Sequence, residues 1–115
     1  MNKMNGVKLK KKLCSEFDAV DAALVFNGTA ANVICLQLAT QSYHSVLCAE
    51  NSHLVVDECG APEKIAGVKL INLPTVHGKI EIDKIENFIL RKGDQHFSQA
   101  KVISITQPNE YGTLY

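Results

Sequence analysis

The chain carries no excess of charge of either sign, because twelve basic residues balance twelve acidic ones. A neutral chain has no general electrostatic attraction for nucleic acid or for an anionic membrane surface, so we expect neither as a partner. No apolar run is long enough to span a bilayer, and the basic start is not followed by the apolar run and cleavage site of a signal peptide.

Closely paired cysteines are also missing, since Cys14, Cys35, Cys48 and Cys59 show no C-x-x-C spacing. Without such pairs we expect no metal site. Single thiols in apolar segments behave as small hydrophobic side chains. Reduced thiols are typical of cytosolic proteins, and we therefore expect a cytoplasmic protein.

Two phosphate-binding fingerprints, G-x-G-x-x-G and G-x-x-x-x-G-K-[ST], are absent as well. Their absence argues against a flavodoxin-like or nucleotide-binding domain, although such domains share the strand–turn–helix geometry considered next. The composition is that of an ordinary globular chain, with 46% hydrophobic and 21% charged residues. A length of 115 residues allows one domain at most, or a part of a larger one.

The segment LVFNGTAAN joins a predicted buried strand over Val20–Phe26 to a predicted helix over Ala30–Thr40. A helix that opens directly after a Gly-containing turn leaves backbone N–H groups unpaired, and the helix dipole makes them a site for a phosphate or carboxylate. Gly28 lets the backbone approach the anion, and the Thr29 hydroxyl adds a donor. The alternative is that Asn27 only caps a core helix.

Strands and helices alternate along the whole chain. Apolar spacing predicts helices over 7–17, 30–40 and 54–58 and around Ile82–Ile89, and strands over 20–26, 45–49, 68–73 and 101–105. The segment Pro74–Lys79 is predicted to be a loop with a surface turn. This β-α-β-α-β-α-β order predicts an α/β fold with a mainly parallel sheet and flanking helices.

Polar clusters follow three of the predicted strands, at Asn27–Thr29, Glu50–His53 and Gln107–Gly112. In parallel sheets ligands bind at the carboxyl ends of the strands. We therefore expect the three clusters to converge on one site.

Four segments match a known family in their order and spacing: FNGTAAN at 26–32, AENSHLVVDECGAPEKIAG at 49–67, GDQHF at 93–97 and KVISITQPNEYGTLY at 101–115. On these segments the chain resembles the threonine aldolases, in the group of pyridoxal-phosphate enzymes that includes the β-eliminating lyases. The resemblance implies a fold-type I enzyme with a three-layer α/β/α architecture. Residues 1–115 would form part of its large cofactor-binding domain, truncated at both ends relative to the family.

The resemblance also implies a set of cofactor-binding residues. Asn27, Gly28 and Thr29 match the turn that holds the phosphate of pyridoxal 5'-phosphate, although the family more often has Ser at position 27. His53 matches the histidine that stacks on the pyridine ring. A flat side chain over one face of a planar cofactor would fix its tilt.

Three residues are predicted to serve catalysis. His96 matches a histidine near the β-hydroxyl of the substrate, His53 is a second candidate, and Glu58 matches an acidic position close to the site. Cleavage requires removal of the hydroxyl proton, which a histidine titrating near neutrality or a carboxylate acting through water can accept. His44 and His77 are predicted to be structural.

The implied reaction is the cleavage of L-threonine or L-allo-threonine to glycine and acetaldehyde by a homo-oligomer, a dimer or tetramer. The lysine that binds the cofactor covalently, the aspartate that pairs with the pyridine nitrogen and the arginine that binds the substrate carboxylate have no match in these 115 residues. We therefore expect this polypeptide alone to be inactive. The alternative is a non-catalytic remnant or a module that binds a phosphate-containing ligand.

Overall fold

The computed structural model describes residues 6–115. The helices are α1 (Gly6–Glu16), α2 (Gly28–Ala39), α3 (His53–Val56) and α4 (Ile82–Ile89), with a π-helical turn at Pro62–Ala66. The strands are β1 (His44–Ala49), β2 (Lys69–Leu73), β3 (Thr75–Val76), β4 (Lys79–Ile80) and β5 (Gln99–Ser104). All four predicted helices are confirmed, with shifted ends. None of the helices in residues 6–115 has the length and hydrophobicity that a bilayer-spanning segment needs.

The main sheet has three parallel strands in the order β2-β1-β5. The central strand β1 pairs on both sides, so that Val46 faces Leu70 on one side and Val102 on the other. All of β1 except His44 is buried, as expected for the central strand of a parallel sheet covered on its faces. The predicted α/β fold with a mainly parallel sheet is therefore confirmed.

The core joins the sheet to its helices. Buried apolar side chains from α2, β1, α3 and the residue just before β2 form one cluster, consisting of Leu36, Val46, Cys48, Leu54 and Val68. Burying each of the larger side chains contributes about 1.5–3 kcal/mol relative to leaving it in water. This cluster fixes α2 and α3 against the same strand, and thereby sets the distance between the two segments that precede them.

The prediction of a strand at Val20–Phe26 is wrong. These residues form no strand, and Val20 and Phe26 are among the most exposed apolar side chains of the chain, at 105% and 90%. A strand exists only where another strand satisfies its backbone N–H and C=O groups, and neither sheet in the described chain pairs with this segment.

The segment Pro74–Lys79, predicted to be a loop, contains most of a small antiparallel hairpin. Thr75 pairs with Ile80 and Val76 with Lys79. Both turn residues have positive φ, 51° at His77 and 75° at Gly78, as a two-residue type I′ turn requires. The turn was recognised from the sequence, but strands of two residues are too short to give a periodic signal.

Candidate active site

The first turn of α2 presents unpaired backbone donors. Asn27 is extended, and its side-chain Oδ1 accepts a hydrogen bond from the Ala30 amide at 2.8 Å. The Ala31 amide donates to the Asn27 carbonyl at 3.3 Å. Among the described residues no cap reaches the amides of Gly28 and Thr29. The side chain of Asn27 thus caps the helix, as the alternative reading expected, and the two following amides stay available.

Gly28 leaves open space in front of these donors. A Cβ built on Gly28 would have no heavy atom within 4 Å. The residue is exposed, so an anion can reach the helix terminus without displacing protein atoms. The positive end of the helix dipole lies at this position and favours negative charge there by about 0.3–1 kcal/mol.

The connection after β1 carries His53 to the same edge of the sheet. Ser52 is the residue before α3, and the amides of Val55 and Val56 donate to its carbonyl. His53 is the first residue of α3, and its side chain is 46% exposed. Burial of Leu54 in the core leaves the His53 ring on the outer side of this short helix.

Glu58 is hydrogen-bonded to the ring of His53. The Glu58 side chain is fully buried, and its Oε1 lies 3.1 Å from His53 Nδ1. The same Oε1 accepts a hydrogen bond from Asn32 Nδ2 at 2.5 Å. Since Asn32 belongs to α2, this carboxylate connects the helix that carries the free amides to the loop that carries the histidine.

A cleft of about 430 Å³ opens between these elements. Its walls come from the start of α2, from α3 and from the chain after β5, through Gly28, Asn32, His53, Leu54, Ser104, Ile105, Thr106, Gln107 and Glu110. Each of the three polar clusters that follow the predicted strands contributes at least one residue. The structure therefore brings them together at the carboxyl edge of the sheet, as predicted.

The cleft combines the terminus of a helix with an imidazole and polar side chains. Backbone donors stand at one side, the His53 ring at another, and the polar side chains of Gln107 and Glu110 at the third. No lysine or arginine of the described chain lines it. Nor do three or more His, Cys, Asp or Glu side chains come together there or elsewhere in residues 6–115 as ligands for a metal ion.

His96 does not share this cleft. It is exposed in the loop before β5, where its amide donates to Asp94 Oδ1 at 2.9 Å and its Nε2 lies 3.3 Å from Gln95 Nε2. The cleft is at the other end of β5, and six residues of strand span about 20 Å. Within this chain the structure thus separates His96 from His53 and its cleft, and the catalytic role of His96 stays a prediction.

The remaining histidines have structural contacts. His44 Nδ1 accepts a hydrogen bond from the Gln41 amide at 2.9 Å, which closes the turn before β1. The His77 carbonyl accepts from Asn109 Nδ2 at 3.0 Å.

Asn32 was missed by the sequence analysis, although a signal was present. It lies four residues after Gly28, and such a spacing places two helical residues on the same face. Gln107 and Glu110 belong to a cluster that was recognised, but neither was singled out.

A cleft at the carboxyl edge of a parallel sheet is the usual place of a small-ligand site in an α/β protein. The model of the beta-eliminating lyase family matches residues 3–115, and the chain belongs to that family.

Among curated relatives, the chain is similar to the low specificity L-threonine aldolase of Pseudomonas aeruginosa, with 45% identity over 91 residues. It is 44% identical over 91 residues to the enzyme of the same name from a Pseudomonas species. A structure of the threonine aldolase of Leishmania major matches 77% of the chain with a TM-score of 0.71 and 29% identity. The chain spans only 26% of each of these proteins.

Proposed function

We propose that this chain forms part of a lyase that depends on pyridoxal 5'-phosphate and cleaves L-threonine or L-allo-threonine to glycine and acetaldehyde. Membership of the beta-eliminating lyase family and identity of 45% to an L-threonine aldolase support the proposal. The observation that carries it is the shared cleft, because one wall contains the helix terminus at Gly28 and another contains the ring of His53.

The residues present fit the phosphate and the ring of this cofactor. The amides of Gly28 and Thr29 would hold the phosphate, and the open space in front of Gly28 admits it. Asn27 would act indirectly, since its Oδ1 is engaged in capping α2. A volume of about 430 Å³ lies within the range of about 300–1,000 Å³ that is usual for small-molecule sites.

His53 would cover one face of the cofactor ring and exclude water from it. When bound, the cofactor supplies an electron sink for the charge left on the α-carbon as the bond to the β-carbon breaks. The protein must accept the hydroxyl proton of the substrate. His53 is the histidine of the described chain that lines the cleft, and Glu110 is the carboxylate that does so.

A ligand titration tests the proposed site. We choose pyridoxamine 5'-phosphate, because it lacks the aldehyde that would react with surface lysines. Binding followed by NMR is expected to shift the amide signals of Gly28 and Thr29 and the ring signals of His53 with one common dissociation constant. Pyridoxamine without phosphate, the matched control, is expected to bind more weakly. Shifts confined to other parts of the chain would refute the proposal.

A second candidate function is a module that binds a phosphorylated ligand without catalysis. It is favoured by one observation, the lack of any lysine among the cleft residues of the described chain. We expect the 115-residue polypeptide, given pyridoxal 5'-phosphate, to release acetaldehyde from L-threonine no faster than the free cofactor does. Faster release would contradict that expectation and support the enzyme outright. The reading frame after the Tyr115 codon distinguishes the two functions. Continuation into a segment with the cofactor-binding lysine would support the enzyme, and a stop codon would support the binding module.

We further propose a homo-oligomer in a reducing compartment such as the cytoplasm. Large exposed apolar side chains, including Phe26 and Leu38 at 90% and 84%, support the assembly, because such surface is usually covered by another chain or segment. The four free thiols support the compartment. Light scattering after size-exclusion chromatography tests the assembly, and a monodisperse monomer would contradict it.

A further inference from the structure

The carboxylate of Glu58 is the one buried acidic group among the described residues, and it lies directly behind the cleft. Its Oε1 is shared by Asn32 Nδ2 and His53 Nδ1, whereas no partner reaches Oε2 within the described chain. A buried carboxylate that loses a hydrogen-bond partner is left with an uncompensated desolvation cost. The folded state therefore strongly favours keeping both hydrogen bonds to Oε1.

The donors and acceptors around Glu58 Oε1 determine which ring nitrogen of His53 carries the proton. The Asn32 Nδ2 group can only donate, and an ionised carboxylate can only accept. The hydrogen bond between His53 and Glu58 then requires the proton on Nδ1. In the neutral ring this leaves Nε2 with a free lone pair, and Nε2 has no partner in the described residues.

We propose that Glu58 and Asn32 are positioning residues, which hold His53 in the Nδ1–H tautomer and present its bare Nε2 to the cleft as a hydrogen-bond acceptor. The tautomer follows from these contacts alone. Its use in turnover, where Nε2 would accept a hydrogen bond from the β-hydroxyl of an amino acid, rests on the proposed function.

Asn32 links the orientation of the ring to the anion site. It lies on the second turn of α2, on the same face as Gly28, and both residues line the cleft. Through Glu58, the His53 ring is thus fixed relative to the helix whose first amides would bind the phosphate. A carboxylate with no positioning role would not need hydrogen-bond partners on both α2 and α3, as Glu58 has in Asn32 and His53.

Nitrogen-detected NMR of the histidine side chains tests this assignment, because the two ring nitrogens of each tautomer have distinct shifts. In the unmodified chain without ligand, the neutral form of His53 is expected to be mainly the Nδ1–H tautomer. A mainly Nε2–H signal in the folded chain overturns the proposal, whatever the behaviour of the variants.

Two substitutions separate positioning from simple packing. Glu58→Met keeps a side chain of similar length but replaces the carboxylate by a sulfur that is only a weak acceptor, and is expected to shift His53 to the Nε2–H tautomer. Glu58→Gln keeps a carbonyl oxygen that both partners can use, and is expected to restore Nδ1–H. Glu63→Met, at an exposed acid of the π-helical turn, is the matched control and should change nothing. An unchanged tautomer in folded Glu58→Met overturns the proposal.

Asn32→Ala provides an independent measurement at an exposed position. Glu58 still accepts from Nδ1, so the tautomer should persist, while the mobility of the His53 ring should increase in relaxation measurements. Unchanged ring mobility would show that Asn32 is not a positioning residue for His53. Because none of these measurements uses a ligand, their failure is distinguishable from a failure of the pyridoxamine 5'-phosphate titration.

Discussion

Gly78 lies so close to Asn109 that a Cβ at position 78 would be 2.5 Å from Asn109 Nδ2. Asn109 is buried, and its Nδ2 donates to the His77 carbonyl at 3.0 Å while its Oδ1 accepts from the amides of Tyr111 and Thr113. The β3–β4 hairpin therefore holds the segment after β5, which places Gln107 and Glu110 at the cleft.

Gly78→Ala is expected to destabilise the fold for two reasons. Its φ of 75° costs an L-residue about 1–2 kcal/mol, and the contact with Asn109 adds about 1–3 kcal/mol of overpacking. Denaturant unfolding followed by circular dichroism measures the sum. Gly93→Ala is the matched control, since φ is 88° there and no heavy atom lies within 4 Å of the added Cβ. Equal losses in both variants would show that the Asn109 contact contributes nothing.

The differences between the sequence predictions and the structure have physical causes. The apolar run Val20–Phe26 is a plausible strand by composition, but pairing with a distant segment decides whether it becomes one. The resemblance indicated His96 as a second site histidine, whereas in this chain His96 precedes β5 and lies at the amino edge of the sheet, so that its role stays a prediction.

The successes depend on local information. Asn27–Gly28–Thr29 predicted the start of α2 because capping and turn chemistry act within a few residues. The convergence of Glu50–His53 and Gln107–Gly112 followed from parallel strand order. Asn27–Thr29 joins them through the packing of α2 on the sheet, because the strand predicted before it does not form. The contact between Asn32 and Glu58, 26 positions apart, requires the packing of α2 near α3 and is not encoded in any short motif.

Gly28→Pro is expected to weaken the binding of pyridoxamine 5'-phosphate without unfolding α2. Proline is favoured at the first helical position and removes the N–H that would donate to the phosphate, and Asn27 before it is already extended. A hydrogen bond to a charged group contributes about 1.5–3 kcal/mol. Its loss corresponds to roughly 10- to 100-fold weaker binding of the phosphate.

Gly28→Ala is the matched control for that change. It retains the N–H group, and its Cβ enters open space. We expect its dissociation constant to stay close to that of the unmodified chain in calorimetry. Equal affinity in the Pro and Ala variants would show that the Gly28 amide does not bind the phosphate.

Cys48 is expected to make the fold less stable at alkaline pH. Burial in β1 raises the pKa of its thiol from the usual 9.0 to about 11. The folded state then retains the proton between these values while the unfolded state loses it, so stability is unaffected below about pH 9 and falls as the pH rises towards 11. The total loss is roughly 2–3 kcal/mol.

The measurement is the free energy of unfolding as a function of pH for the unmodified chain and Cys48→Ala. The substitution should flatten the alkaline decline, even though the cavity that it creates lowers stability at every pH. Cys35→Ala, which removes an exposed thiol, should leave the decline unchanged. An identical slope in the Cys48→Ala variant would contradict the prediction.

A crystal structure of the chain with pyridoxamine 5'-phosphate most directly tests whether the cleft is a cofactor site. We predict that phosphate oxygens lie about 3 Å from the amide nitrogens of Gly28 and Thr29, at hydrogen-bond distance, with the pyridine ring against the His53 imidazole. A phosphate bound elsewhere, or a ring that does not contact His53 while the phosphate occupies the helix terminus, would contradict it.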